Sequence, residues 1–199
     1  MRIYTRTGDT GMTALLASRR VRKDHPAIET NGCVDEAQAA LGLARAQCVD
    51  PGLNALLASL ESDLWIVMAE VAIAPAGRKA LVPGKNAVTS AMVERLEALI
   101  DTTMSNLDLA PAFAIPGENP CSAALDLART IVRRAERHAV GLGLQGSLVV
   151  AYLNRLSDLC WALARATEAE HPTEPTTPRG GARAATRRAG PAAPSTKER

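Results

Sequence analysis

The sequence predicts an all-α protein, a five-helix antiparallel bundle, and three observations carry that expectation. Hydrophobic residues make up 47% of the 199 positions but aromatic residues only 3%. The core must therefore be built from Leu, Ala, Val and Ile, which suits closely packed helices better than an aromatic, β-branched sheet. Apolar residues return at three- and four-residue steps through five stretches, the period of a helix face. Short Pro- and Gly-containing breaks separate these stretches, and short connections favour antiparallel neighbours. One domain is expected at this length.

Residues 1–31 are poor in apolar periodicity and rich in Thr, Gly, Arg and Asp. They read as an ordered loop belonging to the domain, with a short extended piece at residues 3–5. The bundle is expected over residues 32–170. Its first helix covers residues 34–47, with Ala37, Leu41 and Ala44 on one face, and Pro51-Gly52 is expected to break it. A second helix over residues 53–73 carries Leu56, Leu57, Leu60, Leu64, Val67 and Val71. A third is expected over residues 88–107, with Met92, Leu96, Leu99 and Ile100 facing inward. Residues 122–140 and 148–167 supply the fourth and fifth. Residues 171–199 are rich in Pro, Gly, Ala, Thr and Arg and cannot bury enough apolar surface to offset their ordering entropy, so a disordered tail is expected there.

The formal charge of +2 is unevenly placed. The tail has six basic and two acidic residues, which leaves 17 basic against 19 acidic in residues 1–170. A slightly acidic body with almost no aromatics for base stacking argues against a nucleic-acid partner. No run approaches the roughly 18 apolar residues of a spanning helix, and no apolar leader follows Met1, so neither membrane nor export is expected. Cys33, Cys48, Cys121 and Cys160 are widely spaced without a CxxC. Reduced thiols in a cytoplasm are the default for that pattern, and no metal ligands are assigned.

Residues 122–140 carry the strongest chemical signal. At 100° per residue, Arg129, Arg133 and Glu136 fall within about 60° of one another. Leu127, Ala128, Ile131, Val132, Ala135 and Ala139 form the opposite, core-facing arc, with Arg134 and Arg137 further toward solvent. A solvated face laced with ion pairs is the plainer account of such a stripe. Four arginines within nine residues, against one acid, make a surplus that suits a polyanion such as a triphosphate. On the last helix Asn154, Ser157, Asp158, Trp161 and Arg165 form another polar stripe. Near the N-terminus, TRTGDTGMT (residues 5–13) combines glycines, hydroxyls and a cation, a composition able to present backbone N–H groups to phosphate oxygens. It is not a Walker loop, since GxxxxGK[ST] occurs nowhere. GLGLQG at residues 141–146 matches GxGxxG but follows a helix, not a strand, and reads as an interhelical turn. A di-iron bundle is excluded because none of the three histidines sits in a Glu-x-x-His pair.

Together TRTGDTGMT, VDE (34–36), FAIPG (113–117), ALDLARTIVRRAER (124–137) and YLNRLSD (152–158) resemble the PduO-type ATP:cob(I)alamin adenosyltransferases, in order over about residues 2–167. The resemblance implies a homotrimeric five-helix bundle with active sites between subunits, using ATP with Mg²⁺ and cobalamin as substrates. It implies that Thr5, Arg6, Thr7, Gly8, Thr13 and Lys23 hold ATP from the loop, and that Arg133, Arg134, Glu136, Arg137 and Asn154 hold it from the helices. Asp35 would pair with Arg129 across the interface and Phe113 would cover the lower corrin face. A reductase and an enzyme that receives adenosylcobalamin are implied partners. The chain departs from the family at Ala17-Ser18, where two glycines are usual, at Asn31, where Tyr is common, and at Cys33, Glu118 and Asp126. The last two place acids on the presumed corrin side. A non-catalytic carrier or sensor of cobalamin or ATP with the same fold is the competing reading.

The tail's composition generates a first prediction. A chain ending at Glu170 should keep its helical content, melting temperature and oligomeric state, because no periodic apolar face is removed. Light scattering and thermal melting check this, and a dissociated or destabilised product would place the tail inside the folded unit.

Overall fold

The computed structural model describes residues 3–16, 20–107 and 114–170. Ala17-Ser18, Phe113 and the tail at 171–199 lie outside these residues. Five helices account for most of the described residues: α1 (Pro26–Gln47), α2 (Pro51–Val71), α3 (Ser90–Ser105), α4 (Pro120–Leu142) and α5 (Val149–Glu170). The predicted five-helix bundle is therefore present. A two-stranded antiparallel hairpin, β1 (Met12–Ala14) and β2 (Arg20–Arg22), precedes them. A 3-10 turn at Pro75–Ala80 interrupts the α2–α3 connection.

Helix starts are where the sequence reading needs most correction. α1 begins at Pro26, eight residues before the predicted start, capped by His25 Nδ1 accepting from Ala27 N at 3.1 Å. Thr30 and Gly32 have poor helix propensity, but Ala27 and Thr30 are buried, and tertiary packing overrides propensity. Pro51 does not break a helix; it opens α2 at the first helical position, where its missing N–H costs nothing. Asp50 Oδ1 caps that helix, accepting from Gly52 N at 2.5 Å. α4 likewise opens at Pro120, with Asn119 and Ser122 forming a reciprocal capping box. The extended piece expected at residues 3–5 is absent, and the strands lie at 12–14 and 20–22 instead.

α4 packs along both α1 and α5, with α2 against α1 and α3 against α5. The core contains Val34, Leu41, Leu57, Leu60, Leu64, Leu96, Leu125, Leu153, Leu156 and Leu159, all fully buried. Leu127 departs from the predicted core arc and is 48% exposed. It lies about 100° from Ala128 and so falls at the rim of the buried face.

Contrary to the reading of apolar runs, α2 is long and apolar enough to cross a membrane by length and composition. Its apolar residues include Leu57, Leu60, Leu64, Val67 and Val71, which are buried in the bundle. Its polar residues are engaged as well: Asp63 accepts from Arg95 at 2.6 Å and from the Tyr152 hydroxyl at 2.9 Å. That cluster joins α2, α3 and α5. Burial, and next the neighbouring Asp63 charge, push the Tyr152 hydroxyl far above its ordinary pKa, so it stays protonated and donates.

Asp63→Ala should therefore cost more than Tyr152→Phe. The first leaves a buried hydroxyl without its acceptor, about 1–3 kcal/mol, whereas the second removes one hydrogen bond and keeps the Arg95 pair, about 0.5–1.5 kcal/mol. Urea unfolding of both variants measures the order, and the reverse order would show that Tyr152 finds another acceptor.

Candidate functional site

The N-terminal loop is held in shape by its own backbone and by one arginine. Asp9 N donates to Arg6 O at 3.3 Å and Gly11 N to Gly8 O at 3.1 Å, closing two successive turns. Gly11 has φ +76°, in the left-handed region, where a side chain would be strained. Arg6 occupies that region without being glycine, at φ 60°, a conformation that clusters at functional loops. Thr5 and Thr7 hydroxyls are 2.8 Å apart, and the Arg6 guanidinium stacks 5.5 Å from the Tyr4 ring centre. Arg20 donates from β2 to the carbonyl oxygens of Thr7 and of Met12, the latter at 2.9 Å, and so staples loop to hairpin.

Lys23 follows β2 and folds back on the loop. A Cβ built at Gly8 would stand 3.1 Å from the Lys23 ammonium nitrogen, so the lysine tip lies directly against the loop backbone. Beside it, Thr10, Gly11, Met12, Arg22, Lys23 and Asp24 line a cleft of about 430 Å³. Asp24 pairs with Arg22, and their hydrogen bond lowers the carboxyl pKa. Of the sequence candidates, Thr5, Arg6, Thr7, Gly8, Thr13 and Lys23 thus belong to one small unit. That unit is pinned to the end of α2 where Leu16 bridges Ile73.

The helical candidates divide into engaged and unengaged groups. Glu136 accepts from Asn154 Nδ2 at 3.0 Å, joining α4 to α5, and Arg155 donates to Asn154 Oδ1 at 2.7 Å. Arg134 pairs with Glu36 on α1. Arg129 donates to Asp126 Oδ1 at 3.2 Å, and the other oxygen of Asp126 accepts from Arg165 at 2.6 Å. Asp126 and Arg165 are both nearly inaccessible, at 3% and 5% exposure. Asp126, expected on the corrin side, has its carboxylate taken up by two arginines. Glu118 is exposed in the connection before α4.

Arg133 and Arg137 are exposed and have no hydrogen bond or ion pair among the described residues. Asp35 is exposed too and makes no pair with Arg129 inside this chain. No hydrogen bond or ion pair among the described residues joins residues 3–24 to α4. The loop and the arginine face are thus two groups of candidates with no direct bond between them among the described residues. Phe113 lies outside the described residues.

Sequence reasoning missed Arg20, Glu36 as the partner of Arg134, and the Asp126–Arg165 pair. Arg165 was already on the polar stripe of the last helix, but its partner is 39 positions away. No periodicity reports such a contact.

A family profile described as cobalamin adenosyltransferase matches residues 3–167. The corrinoid adenosyltransferase PduO of Citrobacter freundii is 39% identical over 171 residues, covering 84% of this chain and 50% of that protein. The PduO protein of Salmonella typhimurium gives 37% identity, with 85% and 51% covered. The chain thus spans about half the length of these relatives, whereas it spans 95% of a shorter Citrobacter freundii corrinoid adenosyltransferase at 38% identity. Among solved structures, a Phe-to-His variant of the PduO-type ATP:corrinoid adenosyltransferase from Lactobacillus reuteri, complexed with cobalamin and ATP, superposes with a TM-score of 0.77. It is 28% identical, with 84% of this chain and 91% of that one covered. With the profile matched from the N-terminal loop to the last turns of α5, this chain belongs to the cobalamin adenosyltransferase family.

Proposed function

We propose that this protein transfers the 5′-deoxyadenosyl group of ATP to cob(I)alamin, releasing tripolyphosphate and forming adenosylcobalamin. The observation that carries the reading is the pair of exposed cations Arg133 and Arg137 on α4, unpartnered among the described residues, in a chain whose relatives are corrinoid adenosyltransferases. The cobalt of cob(I)alamin attacks C5′ of the ribose with its electron pair, and the C5′–O bond breaks toward the triphosphate. The nucleophile comes with the substrate, so the protein's tasks are alignment and stabilisation of charge on the leaving group. Arg133, Arg137 and Lys23 supply cations, and the amides and hydroxyls around Thr5, Thr7, Gly8 and Thr13 supply hydrogen-bond donors. Glu136 and Asn154 hold each other in place for contact with the nucleotide.

Mg²⁺ fits this arrangement as a companion of ATP, because the ion usually binds through substrate phosphates and a few further oxygens, which the exposed Thr5 and Thr7 hydroxyls offer. It would shield the negative charge of the triphosphate. Homotrimeric assembly is part of the proposal: no hydrogen bond or ion pair among the described residues joins the loop to the arginine face, and a neighbouring copy would complete each site. Asp35 would then reach Arg129 of another subunit. The single phenylalanine, Phe113, is assigned to the lower face of the corrin. Four free cysteines are compatible with a reducing cytoplasm, where a reductase would deliver the cobalt(I) state and an adenosylcobalamin-dependent enzyme would take the product.

The decisive assay mixes the protein with ATP and chemically reduced cobalamin and follows the visible spectrum of adenosylcobalamin. Binding of both substrates without turnover would instead establish a carrier or sensor. Arg133→Ala should lower kcat by about 10²–10³ with helical content intact, the usual loss for a donor aimed at transition-state charge. Activity within a few-fold of the unaltered protein would remove this face from the triphosphate. Phe113→Ala should impair turnover from cob(II)alamin plus a reductant more than turnover from preformed cob(I)alamin. Equal defects would make Phe113 an ordinary packing residue.

A further inference from the structure

Glu29 and Cys33 stand one turn apart on α1, and α4 brings His138 up to them. One carboxylate oxygen, the Cys33 sulfur and one imidazole nitrogen lie within 4.8 Å of one another. A tetrahedral zinc ion, with ligand distances of about 2.0–2.3 Å, keeps its ligand atoms roughly 3.5 Å apart. Small side-chain rotations therefore close the gap. Neither Glu29 nor His138 is committed to a hydrogen bond or ion pair among the described residues. Cys33 is buried and Glu29 exposed, so the sulfur would hold an ion from beneath while the solvent side stays open to a water.

We propose that Glu29, Cys33 and His138 form a site for a thiophilic divalent cation, zinc in the first place. The donor set is the argument for the metal: one thiolate, one imidazole and one carboxylate suit Zn²⁺, while Mg²⁺ and Ca²⁺ take oxygen ligands. Binding forms one bond from each group, releases the thiol proton to solvent and leaves a fourth position for water. Occupancy would clamp α1, just beyond the hairpin that ends at Arg22, to α4 one residue past Arg137. Any effect of the clamp on nucleotide binding rests on the transferase reading; the metal site does not.

The test uses the full chain freed of metal by dialysis. Zinc titrated against a chromophoric chelator should bind at one equivalent per chain, and cobalt(II) substituted for it should give thiolate-to-metal charge-transfer absorption. Cys33→Ser should abolish that absorption. His138→Gln and the exposed Glu29→Gln should each weaken zinc binding by about tenfold or more. Circular dichroism establishes that each variant is folded, and Glu29→Gln keeps the test available if the buried Cys33→Ser does not fold. Substoichiometric zinc, binding unchanged in the His138 and Glu29 variants, or binding lost instead in Cys48→Ser would overturn the site. None of these readouts depends on adenosyl transfer.

Discussion

The rotation of α4 about its own axis is the constraint on which the rest of the molecule depends. Ala124, Leu125, Ala128, Val132, Ala135 and Ala139 are buried against α1 and α5. Four of these six are alanines, and small side chains at a helix contact allow close axes and leave little freedom to roll. Once that face is fixed, the 100° step decides where every arginine of RTIVRRAER points. Arg129 falls beside Asp126 and Arg134 toward Glu36, while Arg133 and Arg137 are left facing solvent.

The buried charges serve the same end. Asp126 and Arg165 form a nearly inaccessible pair, and Arg165 reaches Glu168 at 2.8 Å and lies over the Trp161 ring. Burying an ion pair is seldom a net gain over apolar residues of similar size, but removing one partner is costly because the other is left uncompensated. Such a pair is better understood as fixing geometry than as adding stability. Here it holds the carboxylate that orients Arg129. Glu70 is a second case: buried beside Arg78, it accepts the Val88 backbone N–H at 2.7 Å and so organises the connection next to which the N-terminal loop is bridged.

The division of the candidate site follows from topology. The loop is tied to the far end of α2 through Leu16 and Ile73, whereas the arginine face belongs to a helix packed on α1 and α5. Each half is rigid in its own frame: the loop by two turns and the Arg20 staple, the helix by its packed arc. Rigid halves suit chemistry that needs alignment more than proton transfer, because a small misplacement of reacting atoms is expensive in rate. The same antiparallel contact of α1 and α4 sets Cys33 beside His138, two residues more than a hundred positions apart in the chain.

The five helices, most of their apolar faces and the residue types of the candidate site are legible in the sequence, because each is a local property. Periodicity reports a buried face, and a run such as RTIVRRAER reports a charge surplus wherever it is folded. Helix starts were legible only in part. Pro26, Pro51 and Pro120 all occupy first helical positions, yet proline reads equally well as a break until the cap before it is seen. The hairpin was not legible, since three-residue strands carry too little alternation to register. Which polar groups are spent emerges from the packing of the helices: Asp126 on Arg165 across 39 residues, Asn154 on Glu136 across 18, Arg134 on Glu36 across 98. Those pairings depend on how helices are rotated and juxtaposed, and the local pattern of one helix holds no information about the face its neighbour presents.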